Sequence, residues 1–292
     1  MKRKYLWMLW AGLVVSAGCL RLDSNLYNAS GIEAYQLDDY QGEVIFRLPD
    51  QYDIPADKIH LFTLQSGGYT IWAVYVGDTN RIAADTVILY CHGNRDHLDH
   101  YWERIKLLAN AGGKLRYGVL SFDYRGFGLS EGTPTEEGMN EDADAAVQWL
   151  KQRGLTADRL VIYGYSLGSA PATELTAHPR TLKPAKLLLE SPFASAAVMV
   201  QDAALLAMPP TFFTNLKLNN ADKIREVDVP FCWIHGREDK FLSDSTHGRV
   251  IYERYQGPYK EAHVIPGAVH NNVPQVWGYD AYMAAVAAFI QR

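Results

Sequence analysis

The stretch VIYGYSLGSA, residues 161–170, runs as an apolar segment and stops at a serine held between two glycines. Its β-branched and aromatic residues predict a strand, and the small residues after Tyr165 predict a tight turn into a helix near 167–178. A serine at a strand-to-helix junction is lifted out of the sheet, and the amides of the next helix point toward it, as in a nucleophile elbow. Five residues are a short pattern, and Ser166 could equally be a turn serine. Its meaning depends on partners elsewhere.

Working outward, the same alternation recurs on both sides. TVILYCHGN predicts a strand followed by a helix near 99–111, and YGVLSFDYRG a strand followed by a helix near 136–153. After the elbow come AKLLLESPF, VPFCWIHGRED, a helix near 244–256, KEAHVIPGAVHN and a final helix near 276–291. Strands that are apolar along their whole length and alternate with helices indicate an α/β protein, with a mostly parallel sheet covered on both faces. KIHLFTL and TIWAVYVG, joined by QSGG, predict an antiparallel hairpin at one end. Between SPF and VPF, residues of about 192–228 are too many for a simple connection and read as a helical cap insertion. Within it, residues 196–218 supply VMV, ALLAMPP and FF, apolar groups suited to binding an acyl chain.

In such sheets functional groups gather at the C-terminal strand ends. Four stretches fall there. GYSLG presents Ser166; HGN, residues 92–94, ends the first parallel strand, where the Asn94 amide can join that of Leu167 in an oxyanion hole; HGRED presents Asp239; PGAVHNN presents His270. A base needs to reach Ser166 from a loop, which favours His270 over His263 inside its strand. The acid could be Asp239, with Glu190, Glu238 and Asp244 as competitors. Asp123 and Arg125 in DYRGFG could form an acid and an anion clamp or could brace the loop.

The order Ser, Asp, His is that of the α/β-hydrolase fold. With CHGN, DYRGFGLSEG, GYSLGS and LESPF, residues 57–292 resemble a serine-type α/β-hydrolase of the subgroup that includes the fission-yeast Bem46 protein and eukaryotic membrane-associated acyl hydrolases. Members of that subgroup often end the histidine motif with an acid, where this chain has Asn272. The resemblance implies DYRG as a brace and a Ser166–His270–Asp239 triad cleaving a carboxylic ester of a small-molecule acyl substrate. Thioester or peptide cleavage on the same triad, or a non-catalytic binding module on the scaffold, are the alternatives. A serine nucleophile argues against dehalogenase or epoxide-hydrolase chemistry, which uses an aspartate on this fold. The family strand order separates Cys91 from Cys232 by three sheet spacings, roughly 14 Å, beyond the limit of about 7 Å for bridged Cα atoms. Both are expected as buried free thiols.

The 292 residues are 48% hydrophobic and 21% charged, enough for one large core, with a net charge of −5. No basic stripe interleaved with aromatics follows the first residues, which argues against a nucleic-acid partner. No zinc-like or CxxC spacing appears, so no cofactor or metal is expected. The first residues differ in kind. MKRK is followed by the apolar YLWMLWAGLVVSAG and then Cys19. This predicts a signal peptide over 1–18, and VVSAGC resembles the cleavage box of bacterial lipoproteins, in which the cysteine is acylated. A membrane partner through lipidated Cys19, in the cell envelope, is the favoured expectation; plain secretion after Gly18 or an uncleaved anchor are the alternatives. Residues 19–56 read as a tether and edge segment. Nothing in the sequence fixes the oligomeric state.

Overall fold

The computed structural model describes residues 27–204 and 216–292. The expected signal peptide, Cys19 and the MPPTFF part of the cap lie outside the described residues. Eight strands form one sheet in the order β1-β2-β4-β3-β5-β6-β7-β8. β1 (Ile59–Ser66) and β2 (Tyr69–Val76) are the antiparallel hairpin, and β2 meets β4 antiparallel. From β4 (Gly118–Phe122) through β3 (Val87–Cys91), β5 (Leu160–Tyr165), β6 (Lys186–Glu190), β7 (Phe231–Gly236) and β8 (Lys260–Ile265), every pairing is parallel.

Side chains alternate between two cores, as a sheet covered on both faces requires. Val87, Leu89 and Cys91 point into one, with Leu150, Leu175 and Ile251 from its helices. Ile88 and Tyr90 point into the other, with Trp102, Ile105 and Phe289. Cys91 and Cys232 are buried free thiols on β3 and β7, three strand spacings apart.

Two helices differ from the sequence reading. The one expected near 244–256 spans Gly248–Arg254, because the Asp244 carboxylate is occupied by Arg237 and Arg249 in a turn that precedes it. The final helix begins earlier than expected and is divided into Val273–Trp277 and Tyr279–Gln291 at Gly278. Pro274 is accommodated because it sits in the first turn, where its missing N–H has no helical partner to lose.

The stretch read as a tether and edge segment is, from Tyr27 onward, stitched to the domain. Ala29 bridges Asp96, and Gly31 bridges Gly128. Further on, Phe46, Leu48, Tyr52 and Ile54 enter the core. This explains why all twelve residues of the helix Leu98–Ala109 are buried, including four charged ones. The Asp99 carboxylate accepts the Leu37 amide at 2.8 Å, Lys106 donates to Asp38 at 2.7 Å, and Glu103 accepts the Leu48 amide at 3.0 Å. Charges buried in this way are tolerable because each has a partner.

Candidate active site

The elbow is made possible by close approach. Ser166 has φ of 51°, in the left-handed region that side chains rarely adopt. It starts a short turn, Ser166–Gly168, that feeds the helix Ser169–Ala177. At Gly168 a Cβ would overlap the carbonyl oxygens of Cys91 and His92, so only glycine lets the elbow lie against the end of β3. This is the physical content of the glycine after the serine.

His270 and Asp239 meet Ser166 from the strands beyond. Asp239 follows β7 and His270 follows β8, neighbouring parallel strands. The two loops can touch because Gly236 has no side chain: a Cβ there would lie 2.5 Å from the carbonyl oxygens of Ala268 and Val269. His270 Nδ1 is 2.8 Å from Asp239 Oδ2, and His270 Nε2 is 3.0 Å from Ser166 Oγ. With Nδ1–H donating to the carboxylate, Nε2 carries the lone pair that accepts the Ser166 hydroxyl proton. The three side chains expected to act together are hydrogen-bonded in series.

Asp239 is buried and fully partnered. Its Oδ1 accepts the amides of Phe241 and Leu242 at 2.9 and 2.8 Å, and its Oδ2 also lies 3.3 Å from His235 Nε2. Burial alone would raise the carboxyl's pKa; the hydrogen bonds from His235 and His270, with the His270 charge and the Leu242 amide, outweigh it and hold the group well below the usual carboxylate range. The competitors are otherwise engaged. Glu190 Oε2 accepts from Arg104 at 2.8 Å, Tyr163 at 2.6 Å and Tyr282 at 2.9 Å. Glu238 accepts the Gly267 amide, Asp244 binds two arginines, and His263 faces Glu261 within β8.

The loop bearing His270 is pinned at several points. The His270 carbonyl oxygen accepts Ser191 Oγ–H at 3.1 Å, and Arg104 donates to the Asn271 carbonyl at 2.9 Å. Asn272 Oδ1 accepts the Val269 amide at 2.7 Å, a bond an aspartate oxygen would make equally well. The replacement of the usual acid therefore leaves the loop intact. On the other side, Asn94 and Leu167 border one small cavity together with Ser166. Asp123 and Arg125 brace the adjoining loop: Asp123 accepts Tyr35 O–H at 2.6 Å and faces His92, while Arg125 is paired with Asp142 and Glu141.

Four residues near the site escaped the sequence reading. Arg104 stacks 4.1 Å from the Tyr165 ring, so one buried guanidinium joins the elbow, Glu190 and the His270 loop. Phe241 stands edge-on to the His270 ring at 5.0 Å and is 57% exposed. Tyr27 and Asn28 border the cavities beside Ser166, and the Asn28 amide donates to Asn94 Oδ1 at 2.9 Å. The aromatic and aliphatic residues scattered through 27–40, notably Tyr27, Tyr35 and Leu37, were the available signal that this segment packs. Among the described residues, Cys232, Glu261 and His263 come close enough together to hold a metal ion, but they lie on β7 and β8, apart from Ser166.

A family model described as the alpha/beta hydrolase fold matches residues 86–207. The human alpha/beta hydrolase domain-containing protein 17B is 31% identical over 212 residues, covering 72% of this chain and 67% of the relative. The chain belongs to the alpha/beta hydrolase family. The Xenopus laevis 17B protein is as similar to this alpha/beta hydrolase, at 31% over 213 residues, covering 72% of this chain and 68% of the relative. A solved structure of the Pyrococcus furiosus esterase Pf2001 superposes with a TM-score of 0.66 and 20% identity, over 89% of this chain and 99% of that one. At that identity the likeness is one of fold. Among the described residues of this hydrolase, no helix is long and apolar enough to cross a membrane.

Proposed function

We propose that this alpha/beta hydrolase is a serine hydrolase that cleaves carboxylic esters, with Ser166 as nucleophile, His270 as base and acid, and Asp239 as the group that orients and stabilises the imidazolium. The observation that carries the reading is the unbroken series Ser166 Oγ to His270 Nε2, then His270 Nδ1 to Asp239 Oδ2, at 3.0 and 2.8 Å. Ser166 Oγ bonds to the acyl carbon as its proton passes to Nε2; the alcohol leaves with that proton, and water activated by His270 then releases the acid. The amides of Asn94 and Leu167 stabilise the oxyanion. CHGN, DYRGFGLSEG, GYSLGS and LESPF support the further reading that the chain is Bem46-like.

The test is direct. The wild-type chain should be labelled at Ser166 by a fluorophosphonate probe and should hydrolyse a short p-nitrophenyl ester; Ser166→Ala should do neither while keeping its circular dichroism spectrum. Equal turnover by the variant would remove Ser166 from the mechanism.

The same proposal includes a lipid anchor at Cys19, in the cell envelope, supported by the MKRK charge cluster, the apolar run and VVSAGC. The mature protein should then partition into detergent and carry a blocked N-terminus, and Cys19→Ser should stop processing. A soluble wild-type chain beginning at an unmodified Cys19 would instead mean ordinary secretion.

A further inference from the structure

Ser166 stands where two cavities of unlike character meet. The larger, of about 220 Å³, is open to solvent and bordered by Asn28, Arg95, His100, Tyr165, His270 and Asn271. The smaller, of about 30 Å³, is walled by Tyr27, Leu167, Phe193, Met199, Leu218 and Leu242. Asn94, Ser166 and Phe241 border both.

Proton transfer decides which cavity takes which half of an ester. When the tetrahedral intermediate collapses, the bond from the acyl carbon to the alcohol oxygen breaks, and that oxygen takes the proton held on His270 Nε2. The leaving group must therefore lie on the histidine side of Ser166. His270 borders the larger cavity and not the smaller one. The acyl chain is thus directed away from His270, into the small apolar cavity against Met199 and Leu218.

Size and polarity then define the substrate. A water needs roughly 10–15 Å³ measured in this way, so the smaller cavity holds about two or three heavy atoms beyond the carbonyl carbon. The larger cavity accommodates a group several times that size and sets the Arg95 guanidinium and the side chains of Asn28 and Asn271 opposite apolar surface from Ile45, Tyr101 and Phe241. Arg95 is held in place by two bonds to the Glu43 carboxylate. Such a mixed wall suits a polyhydroxylated ring, whose hydroxyl groups both donate and accept and whose C–H faces pack on aromatic rings, better than a hydrocarbon tail. Resting on the ester-hydrolase reading above, we propose that the site selects esters of short, unbranched acids, acetyl to butanoyl, with bulky polyhydroxylated alcohols.

Two kinetic series test this. Across p-nitrophenyl esters from acetate to dodecanoate, kcat/KM should peak at four carbons or fewer and fall at least tenfold by octanoate. Met199→Ala and Leu218→Ala, made separately in case one fails to fold, should move the peak toward longer chains. At fixed acetyl, Arg95→Ala should raise KM for an acetylated disaccharide several-fold more than KM for p-nitrophenyl acetate. A wild-type optimum at octanoate or beyond, or a peak unmoved in both folded cavity variants, overturns the acyl assignment. Equal effects of Arg95→Ala on the two acetates overturn the alcohol assignment. These failures are distinguishable from failure of the underlying reading, in which no ester is hydrolysed and no probe labels Ser166.

Discussion

Arg104 donates at 2.9 Å to the carbonyl oxygen of Asn271, the residue after His270, while its other terminal nitrogen bonds Glu190 at 2.8 Å. A fully buried ion pair thus doubles as the clamp on the histidine loop. Removing one member of such a pair leaves the other charged and unpaired, at a cost of about 3–5 kcal/mol. Arg104→Met should therefore lower the unfolding free energy by about that amount in urea titrations, and adding Glu190→Gln should recover part of it. Additive losses would mean that the two residues are not energetically coupled.

The acid of the proposed triad can be identified by ranking two variants. Asp239→Asn keeps the shape but favours the wrong histidine tautomer, and kcat should fall roughly 10⁴-fold, as for the analogous change in serine proteases. Glu190→Gln, whose partners are Arg104, Tyr163 and Tyr282, should lower kcat less than tenfold and act mainly on the melting temperature. Steady-state kinetics on folded samples would reverse this ranking if Glu190 were the acid.

The left-handed backbone at Ser166 makes a prediction about stability rather than rate. Both Ser166→Ala and Ser166→Gly remove the hydroxyl, but only glycine adopts φ of 51° without a Cβ penalty. The glycine variant should be the more stable of the two by about 1 kcal/mol, measured by chemical denaturation. Equal stabilities would show that the elbow carries no strain at this position.

His247, fully buried beside the site, accepts the Ala194 amide at Nδ1 and lies 3.4 Å from Asp202. Burial pushes its pKa down to about 4 from 6.5. Between those values the unfolded chain binds a proton that the fold excludes, so stability falls as pH drops from 6.5 toward 4, by at most roughly 3 kcal/mol. His247→Asn should flatten this part of the stability profile whatever its effect at neutral pH. An unchanged slope would assign the acid sensitivity to other groups.

The parallel strands and the elbow were legible because their signals are local. Uninterrupted apolar runs such as VILYC and the glycine after Ser166 answer to steric demands within a few residues. The candidate base was legible for a related reason: a histidine beyond the last strand must lie at the same sheet edge as the elbow. Arg104 was not, since a lone arginine amid helix residues carries no mark of the buried carboxylate 86 positions away. Nor was the packing of residues 27–58, whose polar groups are complementary to charges on a distant helix and have no periodicity of their own.

The backbone first enters the described fold at Tyr27 and Asn28, which are themselves walls of the cleft. Eight peptide steps separate Tyr27 from Cys19, a leash of roughly 28 Å when taut. If the proposed acyl anchor is present, the mouth of the enzyme cannot drift farther than that leash plus the depth of the cleft from the lipid surface. With such an anchor its working volume would be a thin layer above the membrane, and esters displayed within that layer would be met in preference to those free in the surrounding compartment. Lengthening the leash with a Gly-Ser insert before Tyr27 would thicken the layer without touching a single side chain of the site.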